Sequence, residues 1–113
     1  MRIVLIGAES TGLGIVLAAH LHLDHIRRLE EIAADGFVLD GSPRDLAEAR
    51  TLGAVLRSRG ADVDAVVWLP GGVLSSHTEA VLQHYRGRVV ELNAGGDVLE
   101  AALSGLREAM LAA

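Results

Sequence analysis

Short runs of branched apolar residues recur along the chain, and each run ends at a glycine, a proline or a polar residue. Such runs are typical of strands that are buried on both faces of a parallel sheet. They predict four strands, at residues 2–6, 37–39, 65–69 and 88–92. Between them, apolar residues recur at helical spacing, which predicts helices at residues 12–21, 25–34, 43–59, 75–85 and 98–111.

The alternation of strands and helices determines the predicted fold class. Helices that connect parallel strands pack on both faces of the sheet. We therefore expect an α/β protein, a three-layer α/β/α sandwich with about four parallel strands. The 113 residues match the length of one domain and the connections are too short to separate two, so one domain is expected over residues 1–113.

Composition narrows the classes of function. The chain has no cysteine, which excludes disulfides and zinc–thiolate sites. Acidic residues outnumber basic ones by 15 to 10, the formal net charge is −5, and no basic run is present, so nucleic acid is a disfavoured partner. All ten basic residues are arginine, which excludes any mechanism that needs a lysine of this chain. Without a long apolar stretch or a signal-peptide pattern, we expect no membrane partner and a cytoplasmic location.

A glycine-rich segment, residues 7–14, joins the first predicted strand to the first predicted helix. We call it the glycine loop. Its glycines, Gly7, Gly12 and Gly14, have the G-x4-G-x-G spacing of a loop whose backbone N–H groups wrap a phosphate at a helix N-terminus. Ser10 and Thr11 lie inside it and are candidate ligands with the glycines.

Other side chains of the glycine loop oppose this interpretation. Leu13 stands where a working phosphate loop has lysine, and Ile15 stands where it has the hydroxyl that binds magnesium. Glu9 places a carboxylate in the loop, where it would repel phosphate. Two alternatives stay open: an anion-binding loop, and a loop that keeps its shape but has lost its ligand.

Two segments carry a resemblance to a known family. The first is residues 2–8 followed by Gly12-x-Gly14, and the second is Gly-Phe-Val-Leu-Asp-Gly-Ser-Pro-Arg at residues 36–44. They resemble the opening strand and phosphate loop of adenylate kinases and that family's G-F-[LIV]-L-D-G-[FY]-P-R signature, with Ser42 replacing the aromatic residue. Residues 62–69 and 93–110 are similar to the family's next strand and its final loop and helix. The resemblance implies the fold of P-loop nucleoside monophosphate kinases, with the first strand central.

The resemblance also implies roles for individual residues. Arg44 falls where the family holds the AMP phosphate, and Asp40 falls where it organises magnesium and its waters. Glu48 falls where a glutamine reads adenine, and a carboxylate lacks the amide's paired donor and acceptor. The implied ligands are ATP, AMP or phosphate, with magnesium bound weakly if at all. A strand-end cap and a surface ion pair are the alternative roles of Asp40 and Arg44.

Large parts of the family's pattern are missing. The AMP-binding region is reduced to residues 22–35, and residues 75–88 leave no room for the lid over ATP. Without lysine, metal hydroxyl or lid, we expect a catalytically impaired or inactive protein with weak nucleotide or phosphate binding and no catalytic residues. The alternative is a non-catalytic interaction module, whose uncovered rim binds a protein partner or a second copy of the chain.

A histidine-rich segment suggests one more alternative. His20, His22, Asp24 and His25 spell the H-x-H-x-D-H motif that is similar to the zinc site of metallo-β-lactamase-like hydrolases. Here the motif is predicted at a turn between two helices rather than after a strand. We therefore favour solvated turn histidines over a zinc-dependent hydrolase.

Overall fold

A five-stranded parallel sheet forms the centre of the structure, a computed structural model that describes residues 1–7, 11–32, 35–71, 74–93 and 97–112. The strands are β1 (Arg2–Ile6), β2 (Asp24–Ile26), β3 (Phe37–Asp40), β4 (Ala65–Trp68) and β5 (Val89–Glu91). Their order is β2-β3-β1-β4-β5, and every neighbouring pair is parallel. The predicted α/β class and the central position of the first strand are confirmed.

Helices cover both faces of this sheet, as a sandwich requires. They are α1 (Leu13–Leu21), α2 (Leu46–Arg57), α3 (Ser76–His84) and α4 (Val98–Ala112). Along β1, Ile3 and Leu5 pack with α1 and α4, whereas Val4 and Ile6 pack with α2 and α3. This alternation produces two apolar layers, and it explains why the strands are continuous apolar runs.

The segment after α1 differs from the prediction. The helix expected at residues 25–34 is wrong: Asp24–Ile26 is the edge strand β2, paired in parallel with β3, and Leu29–Glu31 forms a single 3-10 turn. Ile26, Leu29 and Ile32 follow one another at intervals of three, which imitated a helical face; Ile26 and Ile32 are buried and Leu29 is partly buried. Pairing with β3 satisfies the backbone that a helix would otherwise satisfy, so the neighbouring strand overrides local propensity. Residues 33 and 34 lie outside the described part of the chain.

Two helix starts show how capping sets the boundaries. Helix α2 begins at Leu46 rather than at the predicted residue 43. Asp45 is its N-cap and accepts a hydrogen bond from the Glu48 N–H at 2.9 Å. Ser75 caps α3 in the same way, accepting from the Thr78 N–H at 3.1 Å, and the helix predicted at residues 75–85 begins at Ser76. Among the described residues, no helix combines the length and apolar character that a membrane crossing requires.

Candidate functional site

The carboxyl ends of β1, β2 and β3 converge on the first turn of α1. Gly14 lies in that turn and touches Asp40, the last residue of β3, so closely that a Cβ at Gly14 would overlap the Asp40 carboxylate. The same Cβ would stand 3.0 Å from His25 Nε2. Glycine is therefore required here, because it lets the helix backbone approach two functional side chains.

The described part of the glycine loop is shaped by backbone geometry. Gly7 has φ 82°, and a Cβ there would overlap the carbonyl oxygen of Leu69. Gly12 has φ 75° and precedes α1, with no atom in reach of an added Cβ. Thr11 Oγ1 accepts a hydrogen bond from the Leu13 N–H at 3.2 Å, so one N–H of the first turn is already bonded. Ser10 and Glu9 lie outside the described residues.

The lysine position of this loop is occupied by a core residue. Leu13 is only 5% exposed and packs in the apolar layer with Ile3 and Leu5. Ile15, at the hydroxyl position, is 54% exposed. The first turn of α1 therefore places neither a cation nor a hydroxyl at the site, and Leu13 has a structural role.

Asp40 is held by a histidine that is distant in sequence. Its carboxylate is 8% exposed, and Oδ2 lies 2.9 Å from His25 Nε2. This contact is a hydrogen bond in which Nε2 is the donor whenever the carboxylate is ionised, because an ionised carboxylate only accepts. The other oxygen, Oδ1, is buried and has no hydrogen-bond partner among the described residues.

A positively charged cavity opens beside Asp40. Its volume is about 430 Å³, and Arg27, Arg28, Asp40, Gly41 and Arg44 line it. Three arginines and one carboxylate line this cavity, and guanidinium groups are suited to phosphate and carboxylate oxygens. This end of the sheet can therefore bind an anion.

The sequence did not identify two of these three arginines. Arg27 and Arg28 directly follow β2, where parallel strands place ligand-binding loops. The incorrect helix at residues 25–34 hid this signal. Glu31 lies beside them: its carboxylate accepts from the Arg27 backbone N–H and pairs with Arg28 Nε, both at 3.4 Å.

Glu48 has a structural role at the start of α2. Its carboxylate accepts the Arg44 backbone N–H at 2.6 Å, while its own N–H donates to Asp45. This reciprocal cap at the start of α2 is close to a capping box. It orders the backbone of Arg44, whose side chain is exposed and lines the cavity. Glu48 itself is absent from the lining residues that the structure describes.

Comparisons with known proteins point to one family. No family model matches the chain. The chain is 39% identical over 75 residues to an adenylate kinase of Nitrobacter winogradskyi, and 38% identical over 69 residues to one of Nitrobacter hamburgensis. An adenylate kinase of Mycolicibacterium paratuberculosis is 51% identical over 41 residues. The chain is adenylate kinase-like.

The two Nitrobacter matches cover most of this chain, and all three matches cover a minor part of the relatives. They span 66%, 61% and 36% of this chain, and 34%, 31% and 23% of the three relatives in the same order. The chain thus spans about a third of the length of the adenylate kinases it matches most extensively. These partial matches support the resemblance to adenylate kinases that was inferred from the glycine loop and from residues 36–44.

The histidine-rich segment of this adenylate kinase-like chain is not gathered around one point. It runs from a helix into a strand, not between two helices as predicted. His22 and Asp24 are exposed, His20 lines a separate apolar groove with Leu106 and Met110, and His25 is bonded to Asp40. Within the described ranges, no three His, Asp or Glu side chains are arranged to hold a metal ion.

Proposed function

We propose that residues 1–113 form one adenylate kinase-like domain that binds a phosphate-bearing ligand, such as a nucleotide or inorganic phosphate, without efficient phosphoryl transfer. The arginine-lined cavity beside Asp40 is the observation that carries this proposal. Its volume lies within the range of roughly 300–1,000 Å³ that is typical of small-molecule sites. The cavity adjoins the glycine loop through the contact between Gly14 and Asp40.

Arg44 is the central ligand in this proposal. It lies in the run at residues 36–44 that resembles the adenylate kinase signature, and its side chain lines the cavity. The Glu48 carboxylate holds its backbone N–H, so the residue starts from an ordered backbone position. Gly7, Thr11, Gly12 and Gly14 shape the neighbouring loop, and Ser10 belongs to the proposed site by its position in the sequence.

Weak or absent phosphoryl transfer follows from the groups that this domain lacks. Transfer of a phosphoryl group depends on positioning and on charge stabilisation by lysine, arginine and metal ions. Leu13 is buried hydrocarbon at the lysine position, and Ile15 has no oxygen for a metal. Losing one such contact commonly costs about 10²–10³ in rate, so losing both leaves little turnover.

Calorimetry with AMP, ATP and inorganic phosphate tests the binding proposal. We expect AMP and phosphate to bind, and Arg44→Gln to weaken AMP binding about tenfold, because one charge-assisted contact is lost. Arg50→Gln is the matched control, since Arg50 is exposed on α2 and is not among the residues that line the cavity. An assay for ADP formed from ATP and AMP should show no sustained turnover. Equal losses in the two variants, or rapid turnover, would contradict the proposal.

The outer face of α1 favours a second candidate function, a non-catalytic interaction module. Ile15 and Val16 are 54% and 47% exposed, and the helix contains no acidic residue, lysine or arginine. A surface helix that is apolar on its outer side is typical of one that a partner covers. Light scattering tests self-association. A monomer that binds AMP would favour the ligand-binding proposal, whereas a dimer that Val16→Glu disrupts would favour the module.

A further inference from the structure

Strand β5 lies at one edge of the sheet, and no described strand pairs with its outer side. On its inner side, the Leu92 N–H donates to the Trp68 carbonyl of β4 at 2.8 Å. Parallel strands bond through alternate residues, so the N–H and C=O groups of Val89 and Glu91 point away from β4. These four backbone groups are able to bond to another strand.

Open space lies beside this edge on both faces of the sheet. On the face that α3 covers, a cavity of about 280 Å³ is lined by residues that include Arg86, Val89 and Glu91. On the face that α4 covers, a cavity of about 650 Å³ runs along β5 and past Ser104 and Gly105. The space at the edge thus extends over both helical layers of the sandwich.

Two antiparallel copies of β5 have one favourable register, with Val90 opposite Val90 of the second copy. Val89 of each copy then pairs with Glu91 of the other, and four backbone hydrogen bonds form, because both residues direct their groups outward. Centring the pairing on Glu91 would set two carboxylates against each other. Centring it on Val89 would set Glu91 against Gly87, which lies before the strand. The Val90 register therefore combines full bonding with separated like charges.

The charges beside the edge are complementary in the Val90 register. Glu91 of the second copy lies opposite Val89 there, on the face where Arg86 lines the same cavity. Arg86 and Glu91 are both exposed, and neither forms an ion pair among the described residues. The two-fold axis repeats this arrangement, so each Arg86 meets a Glu91 of the other copy. Opposite charges that meet across an interface determine its register.

The helical layer has a spacing that fits the same pairing. Helix α4 contacts both β4 and β5, and a Cβ at Gly105 would overlap Val90. Because α4 lies over this pair of strands, the two α4 helices are separated by two strand spacings, about 9.6 Å, within the roughly 8–10 Å between packed helices. The small residues Ala101, Ser104 and Ala109 line the α4 cavity, so antiparallel helices are able to approach this closely.

We propose that two copies of this chain form a symmetric dimer in which their β5 strands pair antiparallel about Val90 and extend the sheet. Arg86 and Glu91 of opposite copies pair on one face, and the two α4 helices pack on the other. Such two-fold pairing is closed, so it ends at a dimer. The dimer uses the edge opposite β2 and leaves the arginine-lined cavity beside Asp40 open. Dimerisation is therefore independent of ligand binding at that cavity.

Sedimentation of charge variants tests the dimer. We expect the native chain to dimerise with a dissociation constant in the micromolar range. Arg86→Glu and Glu91→Arg should each weaken dimerisation at least about tenfold, because each places like charges across the two-fold axis. The variant with both substitutions should return to within about threefold of the native constant, because the ion pairs form again with reversed signs.

Arg50→Glu is the matched control for charge, since Arg50 is exposed on α2 and lines neither cavity at the edge. It should leave the dimer unchanged. A native chain that stays monomeric up to about 1 mM would overturn the proposal. So would a doubly substituted chain that dimerises as weakly as Arg86→Glu alone, provided circular dichroism shows the variants folded.

A bulky side chain in the α4 cavity tests the helical contact. Ser104→Arg should weaken dimerisation at least about tenfold, because it separates the two α4 helices. Ser104 is exposed, so the substitution leaves the core intact. Ser58→Arg is the matched control, because Ser58 is exposed at the end of α2 and lines neither cavity. Equal dissociation constants for the two variants would contradict the packing of α4 against α4.

Amide hydrogen exchange locates the interface. Raising the protein concentration should slow exchange of the Val89 and Glu91 N–H groups at least about fivefold, whereas the Val90 N–H, directed to β4, should exchange slowly at every concentration. A dimer that Val16→Glu on α1 disrupts, while Arg86→Glu leaves it intact, would overturn the proposal. Calorimetry with AMP should give the same affinity for Arg86→Glu and the native chain. Absence of AMP binding would contradict the proposed function and leave the dimer standing.

Discussion

Two buried oxygen atoms have no hydrogen-bond partner among the described residues: Asp40 Oδ1 and the Tyr85 hydroxyl oxygen. Asp40 ends β3 and lines the arginine cavity, with His25 bonded to its second oxygen. Tyr85 follows α3 and is only 2% exposed, within the apolar layer that α2 and α3 form on the sheet. Both oxygens thus lack a hydrogen bond among the described residues, but their surroundings differ.

The surroundings of the two oxygen atoms determine how each missing hydrogen bond is interpreted. Burial raises the pKa of Tyr85 to about 12, the Asp62 carboxylate adds to this rise, and the Arg88 guanidinium opposes it. Arg88 lies 5.7 Å from the ring centroid and also pairs with Asp62 at 3.1 Å. Tyr85 therefore stays neutral, and its charged neighbours Asp62 and Arg88 form an ion pair with each other. Asp40 instead lines a cavity together with three arginines, so it belongs to a candidate site.

The largest effect is expected at Gly14, where the backbone approaches Asp40. Gly14→Ala places a methyl group against the Asp40 carboxylate and the His25 ring, so α1 must shift, at a cost of about 1–3 kcal/mol in the free energy of unfolding. The same variant should weaken AMP binding. Chemical denaturation and calorimetry measure the two effects.

Gly53 offers the matched control for that substitution. A Cβ at Gly53, within α2, would meet only the flexible end of Arg57, at 3.1 Å. Gly53→Ala should therefore gain up to about 1 kcal/mol from helix propensity. Equal stability changes at Gly14 and Gly53 would show that the close approach at Asp40 is not required.

An effect of similar size on stability is expected when the charge of Asp40 is removed. Asp40→Asn should lower the free energy of unfolding by about 1–3 kcal/mol, because a charge-assisted bond to His25 is lost and an amide donor is buried. The cavity also loses its negative charge, so AMP should bind severalfold more tightly. Denaturation and calorimetry in EDTA measure both. Weaker AMP binding in this variant would show that Asp40 contacts the ligand favourably.

The smallest effect at neutral pH is expected at Tyr85. Tyr85→Phe removes an unpartnered hydroxyl, so the free energy of unfolding should change by no more than about 0.5 kcal/mol. Above the unfolded pKa of 10.0, the unfolded phenol ionises while the folded one stays neutral up to about pH 12. The native chain should then lose stability by at most about 1.4 kcal/mol per pH unit, and the Phe variant should not show this tyrosine-dependent loss.

The composition makes this titration easy to observe. The chain has one tyrosine, no lysine and no cysteine, so phenolate absorbance reports Tyr85 alone. Denaturation of both chains across the alkaline range compares their stabilities. A phenolate signal that appears near pH 10 in the folded chain would contradict the raised pKa.

The sequence predicted the central strands and most of the helices because their signals are local. The run at β1 is apolar at every buried position, and apolar residues at helical spacing predicted a helix at residues 75–85, where α3 lies. The glycine loop and residues 36–44 also indicated the resemblance to adenylate kinases. That resemblance identified Asp40 and Arg44 as candidate site residues. None of these signals depends on a distant part of the chain.

Tertiary structure decided the remaining features, because each depends on partners that the local pattern does not contain. The edge strand β2 exists through its pairing with β3, and this pairing brings Arg27 and Arg28 to the cavity. His25 and Asp40 meet across 15 residues of sequence, where no motif links them. Leu13 is a core residue because α1 packs that side on the sheet. Periodicity shows which residues can be buried, and packing determines which neighbours they meet.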